Sequence, residues 1–594
     1  MRKRIAFIAI GAAAVCAPVS ANHGPDLGLH PGYTVMTIRP DSFKPQVTGM
    51  EFLPNGDLLV ETWRGTTGPN ANDNSTGQDI PITGTRTGEG KLYRLTNVKG
   101  TDRNAITVTE VAKGFHDAMG LCVVGNDVYV GDIDRVLKLV DANGDGVYES
   151  SVEIGKIPSY HAWFEYAFGP VHKDGKLYMA LAVGVQNSGW PVKQLGPDRS
   201  SVISFPITGG KYSIVAEGLR APDGIAMGPD DEVFVTDNQG GWRPSSQFHH
   251  IVQDRFYGYQ VDPKGPIQTK VNGKVTPPAI WTPHAEANES PTEPYLMKAG
   301  PYAGQFIYGD VGRGGIYRAF MEKVKDPATG IEEYQGAVWC MSGGLEVGVH
   351  RVRTGPNGEI YVGGLGNGGH SNQGWNETTF GLQKLTPNGV KVFEVIALRS
   401  RAKGMELEFS MPVAEAAAKT LTNYQVQQWW YKPTGEYGGP KQEVQTRAVK
   451  SVTLSPDGKR AFLEIDGLKT GQVVYINLNA NIKSTDAKAL WYAKSWYTLN
   501  NISPSQPFEN TTASKPVVAA KPPGLKVERL AGSLRVTLPG ASSLQVRLLD
   551  FQGRLVRGGA SSVGSATLDA KGLNGLHVLR AEGAGRVLSQ PIVF

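Results

Sequence analysis

Along most of its length the chain repeats one short pattern of apolar and polar positions: an apolar run, a polar turn, a second apolar run. It begins with "GMEFLPNGDLLVETWRG" at Gly49 and returns as "GLCVVGNDVYVGD" at Gly120 and "YAFGPVHKDGKLYMALA" at Tyr166. Further copies are "GIAMGPDDEVFVTDNQG" at Gly224 and "GVHRVRTGPNGEIYVGG" at Gly348. Asn-Gly and Asp-Gly pairs accept φ > 0 at both central positions, which suits the twist of a tight hairpin. The long interval between Gly224 and Gly348 holds "GQFIYGDVGRGGIYRAF", Gly304 to Phe320, a degenerate copy. Repeats at this spacing predict radial repetition of small sheets. The expected fold class is all-β, with a six-bladed β-propeller over residues 30–393.

The texture then changes. Residues 394–502 alternate as strands around another hairpin, "SVTLSPDGKRAFLEIDGL", and fit an Ig/fibronectin-like β-sandwich. The nearest thing to a helix is the brief "AEAAAKTL", Ala414 to Leu421. Residues 503–524, rich in Pro, Ala and Thr, read as a linker, and 525–594 as a small C-terminal β-sandwich.

At the N-terminus, "MRKR", the apolar run Ile5 to Val15 and the small residues ending at Ala21 form the pattern of a signal peptide over 1–21. The expectation is a secreted or cell-surface protein with no transmembrane anchor, because no other stretch approaches the ~20 apolar residues a span needs. Removing Arg2, Lys3 and Arg4 with that segment lowers the formal net charge from +5 to +2. Nucleic acid is therefore not an expected partner. Cys122 and Cys340 are compatible with one disulfide in an oxidising compartment or with two buried thiols.

Several stretches carry candidate chemistry. In "DANGDGVYE", Asp141, Asn143 and Asp145 alternate as oxygen donors and Glu149 follows, as in the first half of a Ca²⁺-binding loop. The twelfth position is Val152, so the bidentate glutamate of a full loop is missing, and the alternatives are a structural Ca²⁺ or a plain acidic turn. "GLGNGG", Gly364 to Gly369, satisfies G-x-G-x-x-G without a helix pattern behind it and reads as a blade loop. Trp63, Trp163, Trp190 and Trp242 fall in or beside blade loops, as platforms for sugar rings or as packing. His249 and His250 beside "SSQF" read as polar loop histidines.

"AEGLRAPDGIAMGPDDEVFVTDNQGGWRPSSQFHHIVQDRFYGY", with "VLKLVDANGDGVYES", "GGLEVGVHRVRTGPNGEIYVGGLGNGG" and, further on, "WYTLNNI", resembles the glucose/sorbosone dehydrogenase-type propellers over most of residues 40–500. "LLDFQGRLV" and "LHVLRAEG" resemble the C-terminal sorting domains of type IX secretion substrates. The first resemblance implies oxidation of a sugar or small polyol with pyrroloquinoline quinone (PQQ), assisted by Ca²⁺ and a histidine base. It places Arg220, Arg351, Asp237, Asn238 and Gln239 at the cofactor, and the blade-loop rings Trp63, Trp190 and Trp242 are the substrate candidates. Arg351 has a salt-bridged strand position as its alternative reading, and Ala221 stands where the family carries an asparagine.

In "SYHAWFEYAFGP" the family's histidine position is Phe164, followed by Glu165; His161 lies three residues earlier. The catalytic candidates are therefore His161, Glu165 and Arg220. No C-x-x-C-H motif occurs, so a haem would sit on a separate electron-acceptor protein, and a monomer is expected. Two alternatives stand beside the dehydrogenase: a non-catalytic glycan-binding propeller, and a metal-dependent lactonase-like hydrolase with Asp223 and Glu51 as ligands.

Overall fold

The computed structural model describes residues 27–63, 90–159, 164–184, 197–260, 274–366, 378–509, 526–530, 533–538, 543–550, 554–561, 564–571, 573, 576–583 and 586–593. Trp163 and residues 367–369 of the glycine-rich loop lie outside them. The protein is almost entirely β, and the only α-helix among the described residues is the five-residue Glu415–Lys419.

The repeated hairpins become the leading strands of antiparallel sheets. The copies at Gly49, Gly120, Tyr166, Gly224 and Gly348 supply the first two strands of their sheets, opening at Val47–Phe52, Leu121–Val124, Ala167–Lys173, Pro222–Met227 and Val349–Thr354. The degenerate copy at Gly304 instead forms the second and third strands of its sheet, Phe306–Gly309 and Ile316–Lys325, after the two-residue strand Tyr295–Leu296. In the Lys173–Lys176 turn, Asp174 and Gly175 have φ of 49° and 72°, the paired positive values such a hairpin requires.

These leading strands touch in a closed cycle. Val47–Phe52 meets Leu121–Val124, which meets Ala167–Lys173, then Pro222–Met227, then Tyr295–Leu296; Phe306–Gly309 of that sheet meets Val349–Thr354, which returns to Val47–Phe52. Closure joins the two ends of the ring within one sheet. Tyr33–Thr37, from the start of the described chain, pairs with Phe380–Pro387 in the sheet of Val349–Thr354, so the two ends of the ring are stitched by backbone hydrogen bonds.

The following module is built onto the ring. Glu332–Ser342 pairs on one side with Ile316–Lys325 and on the other with Lys494–Leu499, so one eight-stranded sheet runs from the ring through Gln472–Leu478, Tyr424–Tyr431 and Lys441–Arg447. A second sheet, Val395–Arg401, Gly404–Phe409, Arg460–Ile465 and Val449–Leu454, packs against it. Phe320 and Trp339 from the ring's strands belong to the same core as Leu398, Leu407, Val474 and Tyr497. Cys122 and Cys340 are both buried free thiols, which selects the second of the two cysteine alternatives.

Met1–Pro516 and Val517–Phe594 are separate compact units. The second is built from a three-stranded and a four-stranded sheet around Leu534, Val536, Leu548 and Leu579.

Gly336 lies on the strand that joins ring and module, where an added Cβ would sit 1.8 Å from the Phe320 carbonyl oxygen. Gly336→Ala is expected to destabilise the protein by ~1–3 kcal/mol, the cost of overpacking a filled interior. A lowered melting temperature by circular dichroism checks this; an unchanged one would contradict the close approach.

Candidate functional site

The strand ends of a closed ring bring residues distant in sequence to one axis, and a cavity of about 250 Å³ lies there. Every sheet of the cycle contributes to its lining: Trp63, Met119, Tyr166 with Phe164 and Phe168, Ala221 and Asp223 with Asn238, Ser290 with Val311, and His350 with Leu365. One wall is aromatic. Tyr166 meets Trp63, Phe164 and Phe168 at ring distances of 6.2, 5.7 and 6.1 Å, mostly edge to face. The Trp63 indole N–H donates to Asp117, which fixes that ring.

Opposite the rings, the polar groups are few and ordered. His350 Nδ1 lies 2.7 Å from the Val47 carbonyl oxygen, an acceptor only, so Nδ1 carries the hydrogen. Nε2 lies 2.9 Å from Asp223 Oδ1, and one proton is shared along that line. Asp223 Oδ2 has no hydrogen-bond partner among the described residues and belongs to a residue that lines the cavity. Asn238 Oδ1 is likewise buried and unpartnered.

Behind this pair runs a chain of buried charges. Arg351 lies 3.6 Å from Asp223 Oδ1 and 2.8 Å from Glu293 Oε2, and donates to the carbonyls of His350 and Met119. Arg353 joins Glu293 to Glu51 at 2.8 and 3.0 Å. Glu61, buried beneath the lining, accepts from the Gly120 amide at 2.9 Å. Burial pushes its carboxyl up to about 8 against the opposing charge of Arg351, and Asp132 adds to the rise. Burial likewise lifts Asp132 to about 7 despite Arg135.

The structure separates the residues singled out from sequence. His161 and Trp190 lie outside the described residues. Glu165 is buried away from the cavity, accepting from Ser159 Oγ at 3.0 Å and lying 3.6 Å from Arg199. Phe164, in the position the resemblance assigns to a histidine, lines the cavity with φ of 62°. Asn238 and Trp63 line it too, whereas Trp242 packs with Val183 and Tyr259. Arg220 donates to the Gln239 carbonyl at 2.6 Å under the Tyr437 ring, and the Gln239 amide turns to the Pro244 carbonyl.

Asp237 has a structural occupation. It accepts from the Arg220 and Ala221 amides and from Arg243 Nε. Burial acts to raise its pKa, and Arg243 with the amides outweighs that and holds it below the ordinary value. Asp132 and Asp310 do the same work in their own sheets, binding the amides of His116 and of Glu289 and Ser290. Comparing "VYVGD", "VFVTD" and "FIYGD" across the repeats would have revealed this recurring tie. His249 and His250 are strand residues rather than loop residues. His249 is buried without a hydrogen bond, and burial followed by Arg243 drives it down to about 3.

His350 stands unmarked beside Arg351 in "GVHRVR", and the sequence offers Asp223 only as a metal ligand. Neither has a local motif; only ring closure places them together. Glu51, the other lactonase candidate, is engaged by Arg353 and does not line the cavity.

The acidic loop is separate. Oxygens of Asp141, Asp145 and Glu149 lie within 4.8 Å of one another. The Gly144 and Gly146 amides bind Asp141 and the Asp145 amide binds Asn143, which curls the loop around its own carboxylates. An all-oxygen set of this kind suits Ca²⁺.

No protein-family model matches the chain, and no curated protein matches it. Solved structures similar to it include a glucose dehydrogenase, at 13% identity and TM-score 0.38 over 59% of this chain and 99% of that one. A PQQ-bound aldose sugar dehydrogenase from Streptomyces coelicolor matches at 13% identity and TM-score 0.37, covering 60% and 100%. A putative gluconolactonase matches at 10% identity and TM-score 0.32, covering 63% and 97%. Identities of this size transfer no residue of the cavity.

A carboxyl whose pKa is raised in the fold favours the native state while protonated, and that advantage is lost as pH rises from the unfolded value of 4.5 through the folded value of about 8. Glu61→Gln, which keeps an acceptor for the Gly120 amide, is therefore expected to flatten the fall in melting temperature over that interval. Melting curves at pH 5, 7 and 9 check this; a parallel fall in both proteins would refute it.

Proposed function

We propose that the protein is a six-bladed propeller that binds a small uncharged hydroxyl-bearing ligand, a sugar or related polyol, in its axial cavity, with Asp223 backed by His350 as the acceptor of a ligand hydroxyl hydrogen bond. One observation carries the reading: Asp223, whose Oδ2 has no hydrogen-bond partner among the described residues, lines a cavity with a wall of aromatic rings. A carboxylate oxygen suits a hydroxyl donor, and aromatic faces suit the C–H surface of a sugar ring.

The chemistry follows from the contacts. A ligand hydroxyl donates to Asp223 Oδ2. Oδ1 meanwhile keeps its bond to His350 Nε2, so the carboxylate stays oriented while it accepts the hydroxyl hydrogen bond. Val47 holds the imidazole in orientation through Nδ1, and the Arg351 cation fixes the carboxylate from behind. The aromatic wall restricts water around the pair.

Oxidation of the hydroxyl, the reaction the resemblance implies, also needs a hydride acceptor. PQQ is a tricarboxylate, and anionic groups of that kind are held by arginine and lysine. Among the described lining residues neither occurs. Arg351 faces Glu293 and two carbonyls, and Arg220 faces the Gln239 carbonyl. The described cavity thus offers no cation to that cofactor's carboxylates and does not fit it. Ca²⁺ fits the Asp141, Asn143, Asp145 and Glu149 loop, where it would stiffen the connection into Ser150–Lys156.

Titration of tryptophan fluorescence with a panel of neutral monosaccharides and polyols tests the reading, since Trp63 forms part of the wall. Saturable binding is expected, weakened ~10-fold or more in Asp223→Asn, the scale of a lost hydrogen bond to a charged group. No binding across the panel, or equal affinity in the variant, would overturn it.

Millimolar Ca²⁺ is expected to raise the melting temperature and EDTA to reverse the rise, with both effects absent in Asp145→Asn. An indifferent melting curve would remove the metal.

A further inference from the structure

We infer that the ligand is a saccharide of at least two units, whose second unit stacks on Tyr437, a residue of the module that follows the ring. The inference rests on the axial cavity being a sugar site. At about 250 Å³ that cavity lies below the ~300–1,000 Å³ typical of sites for drug-sized ligands, so it encloses a single small unit. Anything longer must leave across the rim.

The rim beside Asp223 is well defined. Ala221 and Asn238 line the cavity and are joined by a hydrogen bond from the Asn238 backbone N–H to the Ala221 carbonyl oxygen at 3.2 Å. Their neighbours Arg220 and Gln239 lie just beyond the ends of the strands Pro222–Met227 and Val233–Asp237 and are joined in turn, Arg220 to the Gln239 carbonyl. The Arg220 side chain lies flat on Gly240, where an added Cβ would fall 1.9 Å from its Nε. Tyr437 covers its other side, with the guanidinium carbon 5.2 Å from the ring centre, a cation–π distance.

Tyr437 is therefore fixed without being buried. Its loop is pinned to the rim by backbone bonds from Trp242 to Thr434 at 2.7 Å, from Gly438 to Gly240 at 3.0 Å and from Gly439 to Pro244 at 3.0 Å. Yet the residue remains 52% exposed. A large ring held in place by its backbone and by a cation beneath it, with half its surface open, is a preorganised platform rather than a core residue. With Arg220 on one face of the ring, the other face is left for a ligand unit that extends past Ala221 and Asn238.

Calorimetric affinities for a matched monosaccharide, disaccharide and trisaccharide test this with the full chain. The disaccharide-to-monosaccharide affinity ratio is expected to be ~10 in the wild type, the scale of one aromatic stacking contact. It should fall to about one in Tyr437→Ala, return in Tyr437→Phe, and change little from disaccharide to trisaccharide. Monosaccharide binding with no gain on lengthening, or a gain that survives Tyr437→Ala, overturns this inference alone. Absence of binding at every length overturns the sugar reading itself.

Discussion

Arg351 has no exposed surface, and a guanidinium in that position must meet its partners inside the protein or remain a costly buried charge. Its partners come from around the ring: Asp223, Glu293, the Met119 carbonyl and its own neighbour's carbonyl, with the Phe168 ring 5.9 Å away. The cavity sits above this knot and inherits its geometry. Asp223 is held from behind by Arg351 and from one side by His350, which leaves a single oxygen for a ligand. Removing one member of such a cluster strands the others, so the axial charges act as a unit and not as separable contacts.

The second constraint is the recurring carboxylate at the end of a blade's second strand. Asp132, Asp237 and Asp310 each bind amides from the loop before their sheet's leading strand or beside it. These loops carry much of the lining, including Met119, Ala221 and Ser290. A buried acceptor of several amides fixes backbone where no regular hydrogen-bonding ladder reaches. The rim is thus held by side chains at the points where its strands have ended.

The hairpin repeat was legible because its signal is local: Asp-Gly and Asn-Gly turns between apolar runs report their own conformation. The cavity was legible only where a residue sat in a recognisable string. Asn238 and Trp63 were singled out and do line it, but Asp237 and Gln239, in the same string as Asn238, face protein groups. Neighbours at a strand end point to different surroundings, and no string reports which. His350 and Asp223 are 127 residues apart and have meaning only as a pair. Their encounter is a product of ring closure, which depends on Tyr33–Thr37 pairing with the strand Phe380–Pro387.

The junction with the following module obeys different physics. Ile316–Lys325 and Glu332–Ser342 are ten and eleven residues long, longer than the other strands of the ring, and the excess length is what carries them into the second core. Edge strands left unpaired invite association with other chains. Here the outer edge of Glu332–Ser342 is covered by Lys494–Leu499, and the sheet continues without a break. That continuity anchors the module whose hairpin loop carries Tyr437 to the rim beside Arg220. The module is therefore positioned by the same hydrogen-bonded ladder that builds the ring, and a residue far from Arg220 in sequence can complete the cavity's edge with no flexible connection between them.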